Sequence, residues 1–367
     1  MFSYKYIGVI NMSKGHFINR KDELKNLTHG LKRGKDYILI APRRFGKTAL
    51  AKKTLEEIKQ DPNYLIIHID LMFYSGGSIK SIAEGIINKC LNALGISGKI
   101  RQLWRQVDFS INLKLNYKDL ELEPVIQLFK DGSGEDEWRL LEEALELPEK
   151  IAKKRNKKVV VFYDEFGEID YFSERAVKVF RSVLQHHEEV NYLFAGSQET
   201  LMNKIFLDKS GAFYRFGELI YLKELTKSDV FSYIAETYPS INPEVIYEML
   251  DLLNGHPYYT SLVLEHFISN PEISQDVNSF YQYIRTVLIP QEEAYLELQI
   301  LKIKERVNAL DVMRILSLKL NPYTELQLKE QQVYSTLRVL EVGGYIRKES
   351  RGVYTITDPL LEFFLRD

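Results

Sequence analysis

The sequence predicts an α/β fold built around a parallel sheet, followed by a helical region and a C-terminal winged helix. Three observations support this prediction. Short β-branched runs alternate with long amphipathic helical patterns over the first two hundred or so residues, which is typical of a parallel sheet flanked by helices. After residue 222 the strand patterns stop and helical patterns continue. Near the end, a helical pattern precedes two strand patterns around Ser350-Arg351-Gly352.

The predicted elements divide the chain into three domains. Residues 1–222 form a core with strands at 37–40, 64–71, 159–163, 192–195 and 219–222, and with helices at 48–59, 78–94 and 135–155. Residues 223–290 form a helical domain, in which Thr226 to Asp229 reads as a capping box and further helices cover 242–253 and 258–268. Residues 291–367 form a winged-helix domain with helices at 291–305, 308–318 and 328–342.

An insertion of about 95–158 interrupts the core between the second and third strands. Within it, residues 109–115 alternate apolar with polar side chains and predict a half-exposed strand. The insertion either binds a partner or simply covers the sheet, and the residues do not distinguish these two roles.

Composition narrows the class of protein. Of 367 residues, 45% are hydrophobic and 27% are charged, which is enough for two or three packed cores. The formal net charge of -2 gives no general electrostatic case for nucleic-acid binding. Cys90 is the single cysteine, so the chain has no internal disulfide and no cysteine metal cluster. We expect a cytoplasmic protein, because no apolar run reaches the length of a signal peptide or a membrane span.

A turn that ends in Gly46-Lys47-Thr48 joins the first strand to the following helix. Residues 41–48 fit the pattern Gly-x-x-x-x-Gly-Lys-[Ser/Thr] except at Ala41, which therefore needs a negative φ. Such a loop presents backbone N–H groups to a polyphosphate at a helix N-terminus. We expect Lys47 to reach the β- and γ-phosphates and the Thr48 hydroxyl to bind Mg²⁺. The sequence therefore predicts a P-loop NTPase, whose other nucleotide-binding residues are Pro42, Arg43, Arg44, Phe45, Gly46 and Ala49.

An acidic pair follows the buried strand pattern at 159–163. Asp164 is expected at the carboxyl end of this strand, where it would hold Mg²⁺, and Glu165 is the candidate general base. Ser197 ends the next strand pattern and is expected to position water near the γ-phosphate, to cap the helix at 198–206, or to do both. Arg215 is a candidate contact to the γ-phosphate, in cis or as an arginine finger in a neighbouring subunit, but could equally pair with a surface carboxylate.

These motifs together resemble those of the archaeal-type ATPases of the AAA+/STAND group, and the resemblance covers most of the chain. Residues 17–24 are similar to the family's N-terminal motif, which implies that Asn19 and Arg20 lie near the adenine. Residues 41–48 are similar to its Gly-Pro-Arg-Arg-x-Gly-Lys-[Ser/Thr] loop, residues 164–166 match its Asp-Glu-Phe motif, and residues 195–197 match its sensor strand.

Two further segments carry the resemblance into the second half of the chain. Residues 254–257, Asn-Gly-His-Pro, resemble the Gly-x-Pro element of the family's lid, which implies that His256 and Pro257 contact the base or the phosphates. Without the family, this segment reads as a turn that breaks a helix. Residues 354–360 resemble the family's C-terminal ending. The resemblance implies ATP or ADP with Mg²⁺ as the ligand, and the chain has no guanine-specifying Asn-Lys-x-Asp pattern.

The leading hypothesis is a slow ATP-hydrolysing switch, in which the lid and the winged helix move with the nucleotide state. Its output would be recruitment of a protein partner or assembly into a homo-oligomer. The second hypothesis is a DNA-binding ATPase of replication, transposition or mobile-element regulation. Its support is modest, because residues 301–367 hold eleven Lys and Arg against nine Asp and Glu, although Arg347, Lys348 and Arg351 lie on the predicted wing. The third hypothesis is a nucleotide sensor with little hydrolysis.

Overall fold

The computed structural model of this chain describes residues 20–95, 110–112, 125–127, 134–197 and 199–366. The chain divides into two compact units. The sheet unit comprises residues 21–43 and 47–222, and the helical unit comprises residues 223–367 together with Arg20 and the short segment 44–46. The three-domain division at residues 222 and 290 stays a prediction.

The sheet unit contains the predicted parallel sheet. Its five strands are β1 (Tyr37–Ile40), β2 (Tyr64–Asp70), β5 (Lys158–Asp164), β6 (Val190–Gly196) and β7 (Glu218–Tyr221). They pair in the order β2-β5-β6-β1-β7, and every pair is parallel. All five predicted strands are therefore confirmed, with ends that differ by at most two residues. The order places β6 between β1 and β5, so the carboxyl ends of these three strands are neighbours at one edge of the sheet.

Helices flank the sheet, as a parallel sheet buried on both faces requires. They are Lys21–Lys32, Lys47–Lys59, Ile79–Ala93, Gly134–Arg155, Ile169–Phe172, Glu174–Leu184 and Glu199–Phe206, with short 3-10 turns at Leu71–Tyr74 and Phe166–Glu168. β1 is fully buried along its length, and β5 is buried from Val159 to Asp164. The ring of Phe166 packs between Phe194, at 4.6 Å, and Phe213, at 5.3 Å. This aromatic core lies directly beneath the end of β5, so it fixes the backbone that follows Asp164.

The insertion contributes a second, small sheet. β3 (Ser110–Asn112) pairs antiparallel with β4 (Val125–Gln127). The strand predicted at 109–115 is thus present over three residues, and its other residues lie outside the described ranges. β4 was not predicted, because its three residues carry no recognisable alternation.

The helical unit contains nine α-helices in its described residues and one hairpin. The α-helices are Lys227–Thr237, Pro243–Leu253, Pro257–Ser269, Val277–Tyr283, Ile289–Lys304, Ala309–Ser317, Pro322–Glu325, Glu330–Val342 and Pro359–Arg366, and a 3-10 turn at Pro271–Ser274 and a π-helical turn at Ile284–Leu288 lie between them. β8 (Ile346–Ser350) and β9 (Val353–Ile356) form an antiparallel hairpin after the helix Glu330–Val342. Gly352 has a φ of 80°, which the tight turn requires. A helix followed by such a hairpin confirms the predicted winged-helix ending.

One local prediction in the helical unit is wrong. Thr226 occupies the N-cap of the helix Lys227–Thr237, but its side chain makes no capping hydrogen bond. Its carbonyl instead accepts bonds from the backbone N–H groups of Asp229 and Val230, each at 3.0 Å. The N–H group that a capping hydroxyl would bind is therefore already satisfied by the backbone.

None of the helices in the described ranges combines the length and the apolar character that crossing a bilayer requires.

Candidate functional site

The loop between β1 and the helix Lys47–Lys59 begins with a buried Ala41. Its φ is negative, as the sequence required, because Ala41 is not one of the residues with a positive φ. Lys47 is 5% exposed, and its ammonium donates to the carbonyl oxygens of Ala41 at 2.8 Å and Pro42 at 3.0 Å. Burial lowers the pKa of Lys47, while the carboxylates of Glu165 and Asp164 act in the opposite direction. The lysine therefore ties the start of the loop to its end.

The two predicted magnesium ligands lie together. Thr48 Oγ1 donates to Asp164 Oδ2 at 2.9 Å, across 116 residues of sequence. Asp164 is 4% exposed at the end of β5, and burial raises its pKa to about 6 despite the hydrogen bond from Thr48. A hydroxyl and a carboxylate are the hard oxygen donors that Mg²⁺ takes from a protein when phosphates and water complete its shell. The residues present therefore fit a nucleotide-borne Mg²⁺.

Glu165 has an unusual backbone conformation. Its φ of 48° and ψ of 48° are left-handed, which is uncommon for a residue with a side chain and is concentrated at functional sites. Glu165 Oε2 accepts from the backbone N–H of Ser197 at 3.0 Å and from its hydroxyl at 2.8 Å. The end of β6 thus orients the acidic residue that follows β5.

Ser197, for which two roles are predicted, therefore contacts one of the predicted catalytic residues. Its hydroxyl donates a hydrogen bond to Glu165. Its part in positioning water remains a prediction, and the residue that would open the following helix, Gln198, lies outside the described ranges.

Two residues of β2 border the acidic pair and were missed from the sequence. Asp70 lies opposite Asp164 in the strand register, and its side chain accepts from the backbone N–H of Met72 at 3.0 Å. His68 Nε2 lies 4.0 Å from Asp164 Oδ2, and burial lowers the pKa of His68 to about 4, so the ring is neutral at pH 7. The sequence signal for both residues is a polar side chain near the carboxyl end of a strand that neighbours β5. Recognising this signal requires knowledge of the strand order.

Three further predicted residues of the sheet unit have less defined positions. Arg43 is exposed, and Ala49 is half-buried in the first turn of the helix Lys47–Lys59. Arg215 is exposed with a φ of 57°, and its guanidinium lies 5.3 Å from the ring centroid of Tyr214. Their roles at the nucleotide stay predictions.

The remaining predicted residues belong to the helical unit. Arg20, 7% exposed, donates from Nη2 to the carbonyl oxygen of Phe45 at 3.3 Å and to that of Lys223 at 2.7 Å. The ring of Phe45 contacts His256 edge-on, with centroids 4.9 Å apart. Arg20, Phe45 and His256 are thus brought together within this unit, whereas Asn19 lies outside the described residues.

His256 opens the helix Pro257–Ser269, whose first residue is the predicted Pro257. Proline is favoured there because the first N–H of a helix has no partner within it. His256 is 4% exposed, and burial lowers its pKa to about 3, with Arg44 acting in the same direction. Its Nδ1 is buried and has no hydrogen-bond partner among the described residues. A neutral ring with an unsatisfied nitrogen is a candidate ligand contact, as predicted for this residue.

Arg44 is the residue whose environment the sequence did not indicate. Its role in binding nucleotide stays a prediction, and its side chain contacts Glu292, Tyr258 and Tyr295 of the helical unit. Gly46 and Arg44 both have left-handed backbones, with φ of 81° and 67°. Whether their N–H groups bind phosphate stays a prediction.

The family model of an ATPase domain found predominantly in Archaea matches residues 17–263, about two thirds of the chain. Among proteins with curated functions, none matches.

Solved structures support the same fold. The Walker-type ATPase PABY2304 of Pyrococcus abyssi aligns with a TM-score of 0.64 at 18% identity, covering 95% of this chain and 96% of that one. The ORC2 protein of Aeropyrum pernix, solved with ADPNP and ADP, aligns with a TM-score of 0.53 at 13% identity, covering 94% and 92%. At these identities the likeness shows the fold alone. Since the family model spans both the loop at 41–48 and the acidic pair, the chain belongs to the family of ATPase domains found predominantly in Archaea.

Proposed function

We propose that this protein is an ATP-hydrolysing molecular switch, in which Mg²⁺ and ATP bind at the loop 41–48 and slow turnover drives movement of the lid and the winged helix. One observation carries the proposal. Thr48 donates to Asp164 at 2.9 Å, and Glu165, the next residue, is held by Ser197 at 2.8 Å. A metal-binding pair thus lies beside an oriented carboxylate, and phosphoryl transfer to water needs both.

Each residue has a separate role in this proposal. The N–H groups of the loop bind the polyphosphate, and Lys47 moves from the carbonyls of Ala41 and Pro42 to the β- and γ-phosphates. Mg²⁺ would neutralise the negative charge that develops on the phosphate oxygens. Thr48 and Asp164 would hold it.

Glu165 is proposed to accept the proton of the attacking water. Its Oε2 receives two hydrogen bonds from Ser197, which fix the direction of the carboxylate. The left-handed backbone of Glu165 turns the side chain away from the direction that the strand would give it.

Replacing Glu165 with Gln tests the catalytic part of the proposal. The substitution keeps the size of the side chain and removes the base, so hydrolysis should fall by about 10²- to 10⁴-fold while the Kd for Mg²⁺-ATP changes little. Phosphate release in a single turnover and calorimetric binding measure the two quantities. A Glu165→Gln protein that hydrolyses ATP at the parental rate contradicts the proposal. A parent that binds ATP with turnover no faster than Glu165→Gln would favour the nucleotide sensor.

The alternative of a DNA-binding ATPase receives less support. Arg347 on the hairpin is paired with Glu224 at 2.7 Å and with Glu349 at 2.9 Å, so its charge is already neutralised. Lys348 and Arg351 are exposed. A mobility shift at low salt that weakens as salt is raised would revive this alternative.

A further inference from the structure

Arg44 occupies a cage built from two tyrosines and a glutamate. Its guanidinium carbon lies 4.4 Å from the ring centroid of Tyr258 and 4.0 Å from that of Tyr295. Arg44 Nη1 lies 2.6 Å from Glu292 Oε2, and the hydroxyl of Tyr258 donates to Glu292 Oε1 at 2.8 Å. The cage therefore uses the faces of the guanidinium for cation-π contacts and its edge for an ion pair.

The cage is a buried, mutually dependent arrangement. Glu292 is 6% exposed, and a carboxylate at that depth is stable only while it is paired and hydrogen-bonded. Arginine remains protonated at any accessible pH and its planar fork fits between two rings, which lysine does not reproduce. Removing either charge leaves the other unpaired, so the two residues act as one element.

The position of Arg44 in the sequence connects the cage to the predicted phosphate-binding loop. Arg44 is the fourth residue of the loop 41–48, three residues before Lys47, yet residues 44–46 belong to the helical unit. Within that unit, Arg20 holds the carbonyl oxygen of Phe45 at 3.3 Å, and the Phe45 ring packs on His256. Side chains of the helical unit therefore fix the segment whose N–H groups a polyphosphate needs.

The backbone of this segment is costly to maintain. Arg44 has a φ of 67°, a left-handed conformation that a residue with a side chain seldom adopts. Such a conformation persists only where its surroundings hold it. The cage holds the side chain of the residue that adopts it.

Glu292 also lies next to an irregular turn. The π-helical turn Ile284–Leu288 leads into the helix Ile289–Lys304, which carries both Glu292 and Tyr295. π-turns within helices occur frequently at functional sites because they shift the register of the residues that follow. Here the shifted residues are two of the three cage residues.

We propose that Arg44 is a positioning residue, held by Glu292, Tyr258 and Tyr295, through which the phosphate-binding loop is preorganised by the helical unit. The inference rests on the proposed nucleotide binding at residues 41–48. The cage keeps residues 44–46 in the conformation that binds phosphate. Without the cage, the free energy needed to order these residues reduces the free energy of nucleotide binding. By reciprocity, a bound nucleotide stabilises the cage and the two helices that form it.

A double-mutant cycle tests the positioning role. Arg44→Ala and Glu292→Ala should each weaken ADP binding by about tenfold, since ordering even one backbone residue corresponds to such a change. The double variant should be no weaker than either single one, because both changes release the same element. Lys227→Ala is the matched control, since it breaks the exposed ion pair with Asp251 in the same unit and should change the Kd less than twofold.

Milder variants cover the case in which the alanine variants do not fold. Glu292→Gln keeps the shape and removes the charge, and Arg44→Lys keeps the charge and removes the stacking. Both should weaken ADP binding, Arg44→Lys less than Arg44→Ala. If Arg44 instead contacts phosphate directly, Glu292→Gln frees it, and ADP binding stays the same or becomes tighter. That outcome overturns the inference.

Hydrogen-deuterium exchange gives a readout that a purely structural role would leave unchanged. In the parent, saturating ADP should slow exchange in the helices Pro257–Ser269 and Ile289–Lys304. In Arg44→Ala at saturating ADP, this slowing should be lost in the helix Ile289–Lys304 and reduced in the helix Pro257–Ser269. Equal protection of these helices in both proteins overturns the inference while leaving nucleotide binding intact. A parent that binds no ADP overturns the proposed function and this inference together.

Discussion

Replacing Thr48 with Val removes one hydroxyl from the proposed magnesium site without changing the size of the side chain. That hydroxyl donates to Asp164 at 2.9 Å, and Asp164 is 4% exposed. A hydrogen bond to a charged group contributes about 1.5–3 kcal/mol. The lost bond disfavours the ionised carboxylate, so the pKa of Asp164 should rise by about one to two units above its value in the parent.

The effect on stability should depend on pH in a definite direction. In the parent, burial raises the pKa of Asp164 to about 6, above the ordinary 3.8, so the contribution of this group is complete below pH 4 and is lost as pH rises through 6. In Thr48→Val the pKa of Asp164 is higher, so the stability contributed by this group continues to fall up to a higher pH. The substitution should therefore cost less than about 1 kcal/mol at pH 5 and about 1.5–3 kcal/mol at pH 8.

Urea unfolding followed by tryptophan fluorescence measures this difference. Trp138 packs against the hydrophobic core of the sheet unit, so its fluorescence reports the unfolding of that unit. Thr54→Val is the matched control, because Thr54 lies in the same helix and its hydroxyl donates to the carbonyl oxygen of Leu50 at 2.9 Å, with no ionisable partner. Its cost should be the same at both pH values. A Thr48→Val penalty that is constant or larger at pH 5 would refute the assigned contact.

Two other predictions concern single side chains. Ser197→Ala removes the hydroxyl that holds Glu165 Oε2 at 2.8 Å, and it should lower kcat for ATP by about 10- to 100-fold with little change in KM; an unchanged kcat in steady-state assays would show that this hydroxyl does not orient the base. His256 has a pKa lowered to about 3 by burial, below the ordinary 6.5, so its contribution is present above pH 6.5 and is lost as pH falls. His256→Asn should therefore reduce the acid sensitivity of unfolding, followed by circular dichroism, by up to about 1.4 kcal/mol per pH unit between pH 6 and 4, and parallel pH profiles for the two proteins would contradict this.

Local patterns predicted the parallel sheet well. Strands β1 and β5 are short runs of buried β-branched and aromatic residues. The residues that follow each of them fit few structures other than a turn. The contact of Thr48 with Asp164 also follows from the sequence, because parallel strands place their carboxyl ends at one edge.

The missed features all depend on contacts between distant residues. β4 is three residues long and exists only because it pairs with β3. His68 and Asp70 become neighbours of Asp164 only through the pairing of β2 with β5. The prediction for Thr226 fails for a local reason instead, because its carbonyl accepts from the N–H of Asp229, which a capping hydroxyl would otherwise bind.

Arg44 shows the same limit at the site itself. In the sequence it is one of two adjacent arginines in a phosphate-binding pattern, and nothing local separates it from Arg43. Arg43 is exposed, while Arg44 is caged by residues more than two hundred positions away. The sequence motif predicts that both arginines contact the ligand, and only the fold distinguishes the environments of their side chains.

Calorimetric titration of Mg²⁺-ATP into the parent and into Lys47→Ala tests most directly that the loop 41–48 binds polyphosphate. One binding event is expected in the parent and at least a hundredfold weaker binding in the variant, since a buried ammonium contributes about 3 kcal/mol or more to holding a phosphate. The variant should remain folded, because it removes a buried charge. Equal binding by the two proteins, or no heat from the parent, would contradict the account.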